Sequence, residues 1–172
     1  MISQRSLPGF DAFVAASSDR LLRTAYLLCG DRGHAEDLVQ TALMRTARRW
    51  RTARELPEAY ARRVLINLAK DRWRQLGRRP AELPLDVAPD RSIEVPASTS
   101  ALDREDLLRA AANLPPGQRA VLVLRYFDDL SVEETAAALG VSPGTVKSQT
   151  SRALDNLRAA LAPTKENADV DR

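Results

Sequence analysis

At 172 residues the chain has room for one domain or two small ones, and 26 basic against 23 acidic side chains leave a formal charge of only +3. Cys29 is the single cysteine, which excludes an internal disulfide framework and points to a reducing, cytoplasmic setting. The stretch MISQRSLPGFDAF has no signal-peptide pattern and no run of about 18 apolar residues follows, so no membrane insertion is expected.

In chain order, Phe10, Phe13, Val14, Leu21, Leu22, Ala25 and Leu28 line one side of a helix, whole or broken, that ends near Cys29-Gly30. Asp31-Arg32-Gly33 is a turn that opens the next helix. From Ala35 to Arg49, the residues Leu38, Val39, Ala42, Leu43 and Thr46, with Trp50 beyond, form an apolar stripe. Asp37, Gln40, Thr41, Arg45 and Arg48 lie opposite. Arg51–Leu56 breaks the period before Pro57. A third helix then runs from about Glu58 to Leu76, its stripe Ala61, Val64, Leu65, Leu68, Ala69 and Leu76.

Charge is unevenly spread. Residues 1–76 hold 14 basic and 8 acidic side chains, residues 101–172 hold 9 and 11. Within Arg45–Arg74 ten basic residues outnumber three acidic ones, with Trp50, Tyr60 and Trp73 interleaved. Two readings stand: cations that track phosphates beside aromatics that stack unpaired bases, or an Arg-rich surface over a core that holds the aromatics. Gly77–Ser100 holds four prolines, mixed charge and no helical period, as a linker does.

Leu102–Leu114 is again helical, Pro115-Pro116 breaks it, and Gln118–Phe127 leads onward. In DLSVEETAAALGVSPGTVKSQTSRALDNLRAAL, Ser131 and Glu134 form a capping box. Gly140 sits where a left-handed C-cap is wanted, and Ser142-Pro143 starts a second helix that Pro163 stops. Two helices joined by a tight turn make a helix-turn-helix. Val146, Ala153, Leu154, Leu157 and Leu161 are expected to pack on Ala137, Leu139 and Val141. The other face carries Thr145, Lys147, Ser148, Ser151 and Arg152, at positions that meet base edges and phosphates in such readers. An ordinary solvated helical hairpin is the bland alternative. The tail after Pro163 is polar and expected to fray.

No active site emerges. His34 is the only histidine, at a helix start, and no Cys/His cluster has metal-ligand spacing. Asp128-Asp129 and Glu133-Glu134 read as a turn and part of the capping box. The expectation is a non-enzyme without metal or cofactor.

With both halves read, AEDLVQTALMRTARRW, YARRVLINLAKDRWRQLGRR, the linker and LPPGQRAVLVLRYFDDLSVEETAAALGVSPGTVKSQTSRAL resemble an extracytoplasmic-function sigma factor. FDAFVAASSDRLLRTAYLLCGDRGHAEDLVQTAL is similar to its short actinobacterial SigE-like group. The resemblance implies an all-α chain of two small helical domains: region 2 over 9–77 and region 4 over 102–162, with a linker 78–101 and a tail 163–172. It implies a promoter-recognition subunit whose partners are promoter DNA and core RNA polymerase, through the clamp coiled coil of the largest subunit and the flap of the second-largest. A separate anti-sigma protein is a further implied partner. Asp37, Leu38, Gln40 and Thr41 would dock the polymerase. Arg51, Thr52 and Arg54, in the loop that captures a flipped base, with Asn67, Lys70 and Arg74, would read the −10 element. Thr145, Lys147, Ser148, Ser151 and Arg152 would enter the −35 major groove. Gln149 and Ser151 stand where the wider family has a basic and a bulky residue, which implies an altered −35 readout.

The competing reading is a helix-turn-helix regulator that binds symmetric half-sites as a dimer without polymerase. Co-purification with core polymerase, and whether DNA binding by the free chain requires it, separate the two. The promoter elements lie roughly 50 Å apart along the duplex. The 24 residues Gly77–Ser100 reach about 80 Å extended but average about 25–30 Å as a coil. Deleting about twelve linker residues leaves a reach near 40 Å. Transcription from two-element promoters is expected to fail in that variant, while six added Gly/Ser residues cost little; run-off transcription measures both.

Overall fold

The first helix, α1 (Phe10–Cys29), runs unbroken and ends at Gly30, whose φ of 74° is the left-handed conformation glycine tolerates. This computed structural model describes residues 7–77 and 101–162. The linker core 78–100 and the tail 163–172, with the expectations placed on them, lie outside the described residues. The described residues contain no strand. α2 (Arg32–Arg48) starts at Asp31, whose carboxylate accepts the His34 N–H at 2.8 Å. α3 (Trp50–Ala53) is one short turn, and α4 (Pro57–Gly77) follows. The second half comprises α5 (Ala101–Ala112), α6 (Pro116–Leu122), a π-helical turn Val123–Phe127, α7 (Val132–Leu139) and α8 (Pro143–Leu161).

The first half closes around Phe13, Leu21, Ala25, Val39, Ala42, Trp50, Ala61 and Leu65. Trp50 belongs to this core. It is buried, donates its indole N–H to the Pro8 carbonyl at 2.9 Å and stands edge-on to Phe10 at 5.1 Å. That decides for the Arg-rich shell at this position, since a buried indole has no free face for a base. Arg51–Leu56, expected as a break, is entered by α3 as far as Ala53. The anchor there is Ala53, buried beside Trp50, while Leu56 is 73% exposed.

The capping box at Ser131 forms as expected. Its hydroxyl accepts the Glu134 N–H at 3.1 Å and Glu134 returns a 2.8 Å bond, which holds the Glu134 carboxyl below its usual range. The packing partners expected for α8 need correction. Val146 is fully buried against Ala136 and Leu139, but Ala137 and Val141 are exposed. Gly140 turns the chain left-handed at φ 67°, and the Val141 N–H closes onto the Ala136 carbonyl at 3.1 Å. That C-cap leaves the Val141 side chain outside. Leu76 and Leu161 sit at helix ends and are half exposed, not core.

The halves meet. Leu28, Ile66 and Ala69 share one apolar cluster with Ala120, Val121, Val123, Leu124, Ala136, Leu139 and Val146. Three polar contacts edge it. Lys70 Nζ donates to the Leu139 carbonyl at 2.7 Å, and Arg119 Nη1 to the Leu28 carbonyl at 3.2 Å. The third is Asp128, 3% exposed, which accepts from Thr24 at 2.9 Å and from Arg20 at 3.4 Å and pairs with Arg62 at 3.3 Å. Arg20 Nη2 also donates to the Asp128 carbonyl oxygen at 2.9 Å. The sequence placed Asp128 in a turn. It is in one, but the π-turn, closed by Asp128 N–H to Val123 O at 3.1 Å, turns the carboxylate inward. Burial raises its pKa, while Arg62, Thr24 and Arg20 act the other way.

Leu124 and Leu161 therefore predict opposite outcomes. Leu124→Ala should cost about 2–5 kcal/mol in chemical denaturation, because Leu124 is fully buried. Leu161→Ala should change stability by less than about 0.5 kcal/mol.

Candidate nucleic-acid interface

Two fully buried residues seven apart, Val146 and Ala153, fix the inward face of α8. Seven residues are two turns, so neighbours on either side are carried outward. Thr145, Lys147, Ser148, Ser151 and Arg152 are all exposed, as the helical period requires. Ser142 caps the start, its hydroxyl accepting the Thr145 N–H at 3.1 Å and lying 2.9 Å from the Thr145 hydroxyl. Ser148 Oγ donates to the Thr145 carbonyl at 3.0 Å, which leaves its lone pairs facing solvent. The helix N-terminus adds a partial positive charge to Lys147 and Arg152. Short hydroxyls flanked by cations suit a groove in which phosphates border base edges.

The structure adds residues that the sequence reading missed. Arg125 and Arg158 line one cleft with Val132, Lys147, Thr150, Ser151 and Leu154. Arg158 was legible, since it follows Lys147 and Ser151 at helical spacing along α8. Arg125 was not. It sits on the π-turn and reaches this cleft only through the tertiary fold, its Nη1 donating to the Leu130 carbonyl.

On α4, Asn67 and Arg74 are exposed and Lys70 is half-buried, at spacings of three and four that place them in one row. Arg63, also exposed, extends that row by a turn and had not been singled out. Arg74 pairs with Asp71 at 2.6 Å. Lys70 departs from a free DNA-facing cation, because its amine is bonded to the Leu139 carbonyl of the other half. Arg51 and Thr52 on α3 and Arg54 in the following turn are exposed. They precede α4, and Asn67 lies ten residues beyond Pro57, about 15 Å along the axis. The six −10 candidates thus form two groups.

Asp37 and Gln40 are exposed on α2, and Thr41 and Leu38 are half-buried. Leu38 touches both core clusters and so packs inward as well. Met44, 52% exposed, lies one turn past Gln40 and gives this polar face an apolar contact the sequence reading left out. Asp31, which caps this helix, is held below the usual carboxylate range by the His34 N–H. His34 Nδ1 lies 2.6 Å from the same carboxylate, so the only histidine serves a helix start.

Residues 13–79 match the family model of sigma-70 region 2, and residues 104–157 match that of sigma-70, region 4. The chain is 44% identical over 164 residues to the RNA polymerase sigma-E factor of Streptomyces avermitilis, covering 94% of this chain and 88% of that one. It is 44% identical over 154 residues to the RNA polymerase sigma-E factor of Streptomyces coelicolor, covering 88% and 85%. Among solved structures, the sigma factor RpoE of Bartonella quintana, in complex with the anti-sigma factor NepR, aligns with a TM-score of 0.68 at 27% identity over 95% of this chain and 98% of that one.

Lys147 and Arg152 of α8 can be told apart by their effects. Where Lys147→Ala or Arg152→Ala removes a phosphate contact, the salt dependence of DNA binding should fall by about one unit. Where it removes a base contact, discrimination at one position should relax by about 1–3 kcal/mol. Salt-titrated binding to a panel of −35 variants distinguishes the two, and unchanged binding in both variants removes α8 from the interface.

Proposed function

This chain belongs to the sigma-70 family as an extracytoplasmic-function sigma factor, and from that membership we propose how its residues divide the work of directing bacterial RNA polymerase to promoters. Residues 9–77 serve as region 2 and residues 102–162 as region 4. Arg51, Thr52, Arg54, Asn67, Lys70 and Arg74 engage the −10 element. Thr145, Lys147, Ser148, Ser151 and Arg152 engage the −35 element, with Arg125 and Arg158 on flanking phosphates. Asp37, Leu38, Gln40 and Thr41, with Met44 beside them, dock the clamp coiled coil of the largest polymerase subunit, and region 4 meets the flap of the second-largest.

The observation that carries this division is the exposed row of α8 over buried Val146 and Ala153, in one chain with the polar row of α4. The α8 row suits duplex DNA. The α4 and α3 groups suit a strand whose base has been flipped out, at a cost of a few kcal/mol that a protein pocket must repay. The chain supplies recognition and the polymerase supplies the chemistry, in the cytoplasm where transcription occurs. The likeness to a sigma factor solved with its anti-sigma factor supports an anti-sigma partner here as well.

Purified core polymerase plus this chain, on a genomic fragment pool with start sites mapped, tests the reading. Transcripts should begin downstream of a shared pair of elements and vanish without the chain. Failure to co-purify with core polymerase, together with dimeric binding to symmetric sites by the free chain, would replace it with the regulator reading.

A further inference from the structure

The loop assigned to the −10 element stands on a single helical turn. α3 has four residues, too few to hold a helix by themselves, so its geometry is imposed by what grips it. Its two buried side chains are Trp50 and Ala53, while Arg51, Thr52, Arg54 and Leu56 are exposed. Where the loop stands therefore depends on how the Trp50 indole is seated.

The seat is built by α1 and the residues just ahead of it. Phe10 meets the indole edge-on at 5.1 Å, and Phe13 lies 5.7 Å away, tilted by 35°. Apolar burial of this kind is non-directional and lets a ring turn or slide. The bond from Trp50 Nε1 to the Pro8 carbonyl, 2.9 Å long and spanning 42 residues of sequence, fixes the direction of the ring. Pro8 and Gly9 are exposed, and Leu7 packs against the first-half core. Gly9 turns this short strap left-handed at φ 82°, and the Phe10 N–H closes it onto the Leu7 carbonyl at 2.9 Å. Conformation, not space, calls for glycine there, since a Cβ would meet Trp50 Cζ2 at 3.8 Å, an ordinary contact. The turn carries the Pro8 carbonyl over the indole, whose N–H would otherwise be a buried donor without this acceptor.

We propose that Trp50 is a positioning residue for −10 selectivity: the strap Leu7–Gly9, through the Pro8 carbonyl, sets where the Arg51–Leu56 loop meets an unstacked base. The inference deepens the −10 reading above and rests on it. A binding constellation discriminates only while its groups are held within about 0.5 Å of the productive geometry. Arg51 and Thr52 follow Trp50 directly, so a change in the seating of the ring passes into their backbone with no residue between to absorb it. Trp50 itself is buried and acts on the base only through those neighbours.

Transcription by core polymerase with the full chain, on templates that vary one −10 position at a time, tests the proposal. Trp50→Phe keeps a ring beside Phe10 and Phe13 and removes the N–H. Preference at the position the loop reads should flatten severalfold, with affinity for core polymerase and dependence on the −35 element unchanged. A merely structural tryptophan would instead lower every template by one common factor. That result, or an unchanged preference, overturns the proposal. The strap supplies an independent pair of variants. Gly9→Val puts a β-branched residue at a φ it rejects and should flatten the same position, whereas Gly9→Asn, which tolerates the left-handed region, should keep the wild-type pattern. If Trp50→Phe loses helical circular dichroism, this pair decides, and wild-type preference in Gly9→Val overturns the proposal. Arg51→Ala combined with Thr52→Ala tests the loop reading itself. Wild-type preference in that double variant defeats the loop assignment. Altered preference there, beside unaltered Trp50 and Gly9 variants, defeats the strap alone.

Discussion

A carboxylate taken out of water costs several kcal/mol unless opposite charges and hydrogen bonds replace its hydration. Asp128 obtains those replacements from across the molecule, from Arg20, Thr24 and Arg62. The arrangement of the two halves depends on this exchange. The apolar contact around Leu28, Ile66, Leu124 and Val146 supplies attraction without direction, since hydrophobic burial scales with area and tolerates sliding. The ion cluster supplies the direction, because a buried charge finds its partners in one register only. The Lys70 and Arg119 bonds to carbonyls of the opposite half fix the edges of the same contact.

Both proposed reading surfaces follow one construction rule. A few fully buried small or branched residues lock a helix in rotation, and polar residues at intervening positions then face outward. On α8 the anchors are Val146 and Ala153; on α4 they are Ala61, Leu65, Ile66 and Ala69. Neither surface needs a loop to position its side chains. α3 is the exception. There Trp50 and Ala53 pin a single turn to the core, so that Arg51 and Thr52 are presented on a short projection.

Many of the capping residues lie at their expected places because capping is local. Asp31, Ser131, Gly140 and Ser142 each satisfy or redirect backbone groups within a few positions of themselves. The outward faces of α4 and α8 were legible for the same reason, since a 3.6-residue period fixes which residues share a side. Legibility failed where the partner was distant in sequence. Val141 had the right chemistry for a core but sits just past a left-handed cap that leaves it outside. Arg125 reaches the α8 cleft through a π-turn that no local pattern announces.

The sequence by itself determined the long helices, their caps and the polar rows on α4 and α8, all of which arise from neighbours within about two turns, and the order and spacing of its motifs along the chain carried the resemblance to the family. Only the tertiary structure decided that Trp50 is core rather than a stacking platform, that Lys70 is engaged by the opposite half, and that Asp128 points inward. Those outcomes depend on atoms some 40 to 110 residues away along the chain. Whether a charged or amphipathic side chain meets water or a partner there is set by which surfaces fold together, and periodicity carries no record of that.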